Sequence, residues 1–346
     1  MFSIISTTKG KRNKLTAEYE AAMGKSSDVV QVTGGATYAP GVFRKLRHAW
    51  GIDDDEYRKE LSSVKKLGEG AGKSKMLFWI SKHKRFFLKT MPKGEIDTLV
   101  GDVLDAYAAH MHKYPNSLLP RILGIYREDN VYFLVQTNIN FNLNNPWLYD
   151  LKGSHRKREI ATMKRGAVGK DNNFGSSCLA TKMSTRIKKM LRLDSQFLAR
   201  MNLMDYSLLV AIEPMNSRST CKPLCDTCIA PAGSSFVANF HGPPPSGSQR
   251  VCVHIGIIDI LQDFGIKKTL ESIYKTGLKG DESSDVSAIP ATPYMKRFNA
   301  MVEKVFKTPQ WSTKKSPRKK SPPRRKSRRK SRRKSRRRSP KKSNNK

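Results

Sequence analysis

The chain has 346 residues, and 66 Lys/Arg against 29 Asp/Glu give it a formal net charge of +37. No stretch approaches the roughly 18 apolar residues that a membrane-spanning helix needs. The early apolar residues Phe2, Ile4 and Ile5 are too few for the core of an export signal. Five cysteines, an odd number, argue against a disulfide framework and for reduced thiols in the cytosol or nucleus.

The charge is uneven. Residues 312–346 hold 20 Lys/Arg and no acid, which leaves 46 Lys/Arg and 29 acids, or +17, in the first 311 residues. A folded body with a separable basic tail is expected. Its partner should be anionic: a membrane surface, nucleic acid or a phosphorylated substrate.

In chain order, residues 1–35 are polar and read as disordered, with Gly34 and Gly35 as a break. Phe43, Leu46, Trp50 and Ile52 recur at helical spacing, and Asp53 to Asp55 suggest the cap of a second short helix holding Tyr57 and Leu61. A Gly-rich stretch, Gly68 to Ser74, precedes two aromatic-rich runs, Met76 to Ile80 and Phe86 to Lys89, which predict a hairpin. Ile96, Leu99, Val100 and Leu104 mark a helix. Leu118 to Tyr126 and Val131 to Thr137 predict a strand pair turning at Glu128 to Asn130. Residues 155–182 look basic and loop-like, and Arg186 to Met201 is an amphipathic helix. A strand is expected over Leu208 to Ile212. Ser, Pro, Gly and Cys dominate 213–250, which reads as a flexible insert. Val251 to Leu261 returns to strand, and Tyr294 to Phe306 is a last helix.

Several residues are candidates for chemistry. Lys89 ends a strand behind a Gly-rich hairpin, where glycines admit phosphates and a lysine neutralises them; a surface lysine is the plain alternative. Gly72-Lys73-Ser74 resembles the end of a Walker A loop, but Leu67 replaces the required glycine and a strand follows instead of a helix. Asp205 and Asp259 lie beside or within apolar runs, where a carboxylate is costly to bury without a cation such as magnesium. For Asp205 a turn or cap role is equally open. Asp263-Phe264-Gly265 matches the protein-kinase metal tripeptide, but no His-Arg-Asp loop precedes it and it is read as coincidence. Cys221, Cys225 and Cys228, with His241 or Cys252, are a weak zinc set.

Three motifs in order resemble the phosphatidylinositol phosphate kinase family: Asp150-Leu151-Lys152-Gly153-Ser154, Met204 to Val210 with Asp205-Tyr206-Ser207, and Ile257-Ile258-Asp259-Ile260-Leu261. Tyr38-Ala39-Pro40, Gly51-Ile52-Asp53, Leu119-Pro120 and Lys170-Asp171-Asn172 also fit, and the likeness runs from about Tyr38 to Phe306.

The resemblance implies an α+β, two-lobed fold with an antiparallel sheet and packed helices in each lobe, distantly like protein kinases. The domain is expected over 36–307, with lobes divided near 140 and a disordered tail over 308–346. ATP and Mg2+ are the implied cofactors. Lys89 is implied to contact ATP phosphates with Gly70, Gly72, Lys73 and Ser74, and Lys152 to lie near the reacting phosphates. Asp205 is implied to orient or deprotonate the inositol hydroxyl, and Asp259 to bind metal. Arg158, Lys267, Lys268, Glu271 and Lys275 are implied to meet the lipid headgroup. Glu271 matches the residue typical of 4-phosphate 5-kinases, where the 4-kinase branch usually has Ala.

Two positions depart from the family pattern: Lys75 replaces a glycine and Phe264 a tyrosine. The implied activity is a phosphatidylinositol 4-phosphate 5-kinase, peripheral on the cytosolic face of a membrane. The alternatives are a 5-phosphate 4-kinase, or a catalytically weak body that binds membrane or nucleic acid. The tail leaves nucleic-acid binding and a nuclear location open, and the family suggests a homodimer through Tyr38 to Leu61.

Overall fold

The computed structural model describes residues 28–32, 35–69, 76–140, 143–215, 234–242, 248–263 and 290–309. The chain divides into two units, residues 1–309 and 310–346, and every described residue lies in the first.

The first half begins with β1 (Val29–Val32) and β2 (Gly35–Tyr38), an antiparallel pair where disorder is expected up to residue 35. The β-branched Val29-Val30-Gln31-Val32 run explains it: those residues suit a pleated edge. Helix α1 (Pro40–Ala49) opens with proline at its first turn and buries Val42, Phe43 and Leu46. In α2 (Asp54–Leu61), the Asp53 side chain accepts from the amides of Asp55 and Glu56, and three acids occupy the first turn.

Strands β3 (Val64–Glu69), β4 (Leu77–Ser81) and β5 (Phe86–Met91) follow. Helix α3 (Lys93–Thr98) runs through a π-helical turn at Leu99–Val103 into α4 (Leu104–Lys113). Strands β6 (Ile122–Glu128) and β7 (Val131–Thr137) complete a seven-stranded antiparallel sheet in the order β1-β2-β6-β7-β5-β4-β3. Lys89 sits inside this sheet, opposite Phe78 on one side and Leu134 on the other.

The second half contains β8 (Trp147–Leu151), β9 (Val168–Gly169), α5 (Asp171–Phe174), β10 (Cys178–Ala180) and α6 (Ser184–Arg200). Then come β11 (Leu203–Met204), β12 (Ser207–Pro214), β13 (Ser235–His241), β14 (Ser248–Ile258), β15 (Gln262–Asp263), α7 (Ala291–Val305) and β16 (Phe306–Lys307). A second seven-stranded sheet has the order β16-β10-β13-β14-β12-β8-β9, antiparallel except for β10 with β16 and β8 with β9. The fold is α+β with two antiparallel-rich sheets.

Two expectations change here. The supposed insert at 213–250 contains β13, whose Phe236, Ala238 and Phe240 face the core in alternation. The supposed loop at 155–182 contains β9, α5 and β10. Cys178 is a free cysteine, in keeping with the expected reduced thiols. Cys221, Cys225 and Cys228 lie outside the described residues, among which no metal-holding cluster of His, Cys, Asp or Glu occurs. No described helix is long and apolar enough to cross a membrane.

The halves are joined by buried polar contacts. Asp194 on α6 accepts from His110 Nε2 on α4, from Ser117 Oγ and from the Leu118 amide, each at 2.7 Å. The Ile257 amide donates to the Leu118 carbonyl at 2.7 Å, and His254 Nδ1 meets the Ile139 carbonyl at 3.0 Å. One apolar cluster spans both sheets.

Candidate active site

Strand register brings three site segments to one end of the second sheet. Ser207 pairs with Ile258, and Leu208 with both Ile257 and Leu151. The start of β12, the end of β14 and the end of β8 are therefore level. Asp205 precedes the first, Asp259 follows the second and Lys152 follows the third.

Both aspartates have left-handed backbones, φ 62 at Asp205 and φ 58 at Asp259. That conformation is uncommon outside glycine but tolerated by Asp and Asn. It turns the chain sharply at the end of a strand and leaves the carboxylate at the sheet edge, not within the core.

Two lysine–aspartate pairs form the centre. Lys89 Nζ, reaching from the first sheet, donates to Asp259 Oδ1 at 2.8 Å. Lys152 Nζ lies 2.7 Å from Asp205 Oδ1. The Lys89 side chain is 7% exposed and that of Asp259 is 50% exposed, so the pair runs from the interior to an open face. Burial pushes the Asp259 carboxyl up, but the Lys89 charge and hydrogen bond, with help from the Lys152 charge, outweigh it. The net direction is below the ordinary carboxylate value, and Asp259 is an anion at neutral pH.

The loop that carries Lys152 is held from behind. Asp171, 6% exposed at the start of α5, accepts the Lys152 amide at 3.1 and 3.2 Å and the Gly153 amide at 2.7 Å. Successive backbone N–H groups aimed at one carboxylate form an anion nest. Gly153 has φ +73, and a Cβ there would stand 3.0 Å from Met301 Cβ and 3.1 Å from the Arg297 carbonyl, so this turn requires glycine.

Arg158 departs from its implied role. It is 8% exposed, with Nε on Asp171 at 2.8 Å and Nη2 on the Asp150 carbonyl and carboxylate at 2.5 and 3.1 Å. These contacts make it a brace between β8 and α5 instead of a cation offered to a headgroup. Asn172 exchanges hydrogen bonds with His155, its Nδ2 donating to the carbonyl and its Oδ1 meeting Nδ1, each at 3.0 Å.

Lys89, Lys152, Asp205 and Asp259 are thus brought together. Gly70, Gly72, Lys73, Ser74, Lys267, Lys268, Glu271 and Lys275 lie outside the described residues. Asp263 pairs through its backbone with Leu203. Sequence reasoning missed Asp171 and Asp150. Asp171 stands inside the Lys170-Asp171-Asn172 motif, and its carboxylate beside a basic loop was the available signal.

Comparisons with known proteins bear on this geometry. The sequence profile of the Phosphatidylinositol-4-phosphate 5-Kinase family matches residues 59–227 and 236–305. The chain is 30% identical over 327 residues to phosphatidylinositol 4-phosphate 5-kinase type-1 alpha of Rattus norvegicus, covering 82% of this chain and 59% of that protein. It is 27% identical over 309 residues to phosphatidylinositol 5-phosphate 4-kinase type-2 alpha of Gallus gallus, covering 75% of each. A probable phosphatidylinositol phosphate kinase of Dictyostelium discoideum is 27% identical over 340 residues, 78% of this chain and 47% of that protein. The chain spans about half the length of some of these relatives, including 44% of phosphatidylinositol 4-phosphate 5-kinase 3 of Arabidopsis thaliana.

Proposed function

The chain belongs to the phosphatidylinositol phosphate kinase family, and from that membership we propose that it is a lipid kinase that moves the γ-phosphoryl group of ATP to an inositol hydroxyl of a phosphatidylinositol monophosphate. The observation that carries this reading is the convergence of Lys89, Lys152, Asp205 and Asp259 from four separate chain segments. We read the two sheets as the lobes of a protein-kinase-like arrangement, about 36–140 and 141–307.

Phosphoryl transfer needs an oriented nucleophile, cations on the phosphate oxygens and little covalent participation by the protein. Asp205 would accept the inositol hydroxyl proton. The hydroxyl oxygen then bonds to the γ-phosphorus, the bond to the β–γ bridging oxygen breaks, and ADP departs. Lys89 and Lys152 would hold the phosphate oxygens. Asp259 suits magnesium: it is a hard oxygen donor, ionised and half exposed. Magnesium bound there supplies neutralisation of the β- and γ-phosphate charge.

Glu271 favours phosphatidylinositol 4-phosphate as substrate and the 4,5-bisphosphate as product. The 5-phosphate 4-kinase reading stands second, because relatives of both names match. The body's positive charge suits a peripheral position on an anionic membrane. The tail's 20 basic residues favour one further reading, a weak kinase body that binds nucleic acid or membrane through its charge.

The deciding experiment is radiolabelled ATP with vesicles carrying either phosphatidylinositol 4-phosphate or 5-phosphate. Turnover on the 4-phosphate that is lost in Asp259→Ala is expected. No turnover on any monophosphate would sink the enzyme reading. Activity lost in Asp263→Ala but kept in Asp259→Ala would overturn the metal assignment.

A further inference from the structure

Helix α7 touches both loops that carry the site. Its Met301 Cβ and Arg297 carbonyl stand against Gly153, beside Lys152. Its Tyr294, fully buried in the first turn, donates its hydroxyl hydrogen to the Tyr206 carbonyl. The Tyr294 and Tyr206 rings meet edge to face at 4.8 Å, and Phe298 packs on the same Tyr206 ring at 5.0 Å. The Arg297 guanidinium covers the Tyr294 ring at 4.7 Å.

Tyr206 is bonded directly to Asp205, whose φ of 62 places the sharp turn immediately before it. On the upstream side, Leu203 and Met204 are held by pairing with Asp263 and Gln262. Downstream, Ser207 enters β12. The peptide between them is anchored by the Tyr294 hydroxyl. We propose that Tyr294 is a positioning residue that fixes the Asp205 carboxylate for proton acceptance, an inference that rests on the lipid-kinase reading above.

The chemistry of the contact fits a fixed anchor. Burial, and then the negative charge of Asp205, hold the Tyr294 hydroxyl well above its ordinary pKa, so it stays a donor throughout the working range. A carbonyl that accepts from a buried, pre-packed phenol has little freedom to rotate its peptide. That carbonyl belongs to the Tyr206–Ser207 peptide, one residue past Asp205, so freeing it loosens the segment that holds Asp205 beside Lys152. Misplacement of a reacting group by a fraction of its contact distance lowers turnover without changing how tightly substrate binds.

The test uses the full chain with Tyr294→Phe, which keeps the ring and deletes the hydroxyl. The expected result is a kcat lower by about tenfold, equivalent to about 1.4 kcal/mol, with KM for ATP within about twofold of wild type. Hydrogen exchange at residues 203–208 should accelerate. Tyr107→Phe is the control. It deletes another buried hydroxyl, which donates to the Pro120 carbonyl at 2.6 Å and accepts the Ile122 amide at 3.1 Å without touching a site residue, and should leave kcat unchanged. Wild-type kcat in Tyr294→Phe, or an equal loss in Tyr107→Phe, would overturn the proposal. If wild type fails on every monophosphate, the lipid-kinase reading falls by itself. Exchange at 203–208 then decides whether Tyr294 holds the loop, and an unchanged rate refutes it.

Discussion

Replacing Asp171 by alanine should damage both stability and turnover. Its carboxylate accepts two backbone amides and the Arg158 guanidinium, and it is buried. Truncation leaves each buried donor short of an acceptor, at about 1–3 kcal/mol apiece. Breaking a buried ion pair from one side costs about 3–5 kcal/mol in all. Here Asp150 remains on Arg158 Nη2, and the Lys152 loop admits some water, so the lower end, about 3 kcal/mol, is expected. A domain with the usual 5–15 kcal/mol of stability stays folded after that loss. Turnover should fall by about a hundredfold, the scale of an ångström-sized misplacement of Lys152. Urea unfolding gives the first quantity and vesicle phosphorylation the second. A double-mutant cycle with Arg158→Ala should return coupling of about 1–3 kcal/mol. A loss below about 1 kcal/mol, or turnover equal to wild type, would refute the idea that a buried carboxylate organises this loop.

Other outcomes are open to direct measurement. Burial drives the His254 imidazole down to about 4 from 6.5, against the opposing bond to the Ile139 carbonyl. The unfolded chain therefore binds a proton that the folded one refuses between these values, and stability falls as pH drops from 6.5 toward 4, by about 1.4 kcal/mol per unit at most. His254→Gln should flatten that slope in urea titrations, and a parallel slope would contradict the assignment. Asp194→Ala removes the acceptor of three buried donors, one on α4 and two in the segment after it, and should cost about 3 kcal/mol; an unchanged urea midpoint would deny the contact that role. Truncation after Trp311 should weaken binding to anionic vesicles and its salt dependence, since each basic residue near a charged leaflet contributes about 1 kcal/mol. Equal vesicle binding by the shortened chain would show that the tail plays no part there.

Local patterns made much of the framework legible. The aromatic run before Lys89 predicts β5, and the spacing of Ile187, Leu191, Phe197 and Leu198 predicts α6. Composition misled where it was averaged over a window. Ser, Pro and Gly around 213–250 masked the Phe236-Ala238-Phe240 alternation of β13, and the glycine pair near residue 35 masked β1. The site itself was legible as a set of residue types but not as a set of partners. Lys89 and Asp259 are 170 positions apart, and no local rule pairs them. Arg156, Lys157 and Arg158 look alike in sequence, yet Arg158 is drawn inside because Asp150 and Asp171 flank its guanidinium. Tyr294 reads simply as an apolar helix position; the partner of its hydroxyl depends on where Asp205 turns the chain.

That turn has an evolutionary consequence. At both site aspartates the backbone adopts a conformation that asparagine accepts as readily as aspartate. Asparagine has nearly the same shape but carries no charge, so it would keep the turn while removing the carboxylate that pairs with Lys152 or with the buried Lys89. Aspartate and asparagine codons differ by one base. On the roles proposed above for Asp205 and Asp259, a chain that keeps both turns and loses one of the two site charges lies a single base change away. The architecture thus separates the turn that shapes the site from the charge proposed to do its chemistry, and one codon change parts the two.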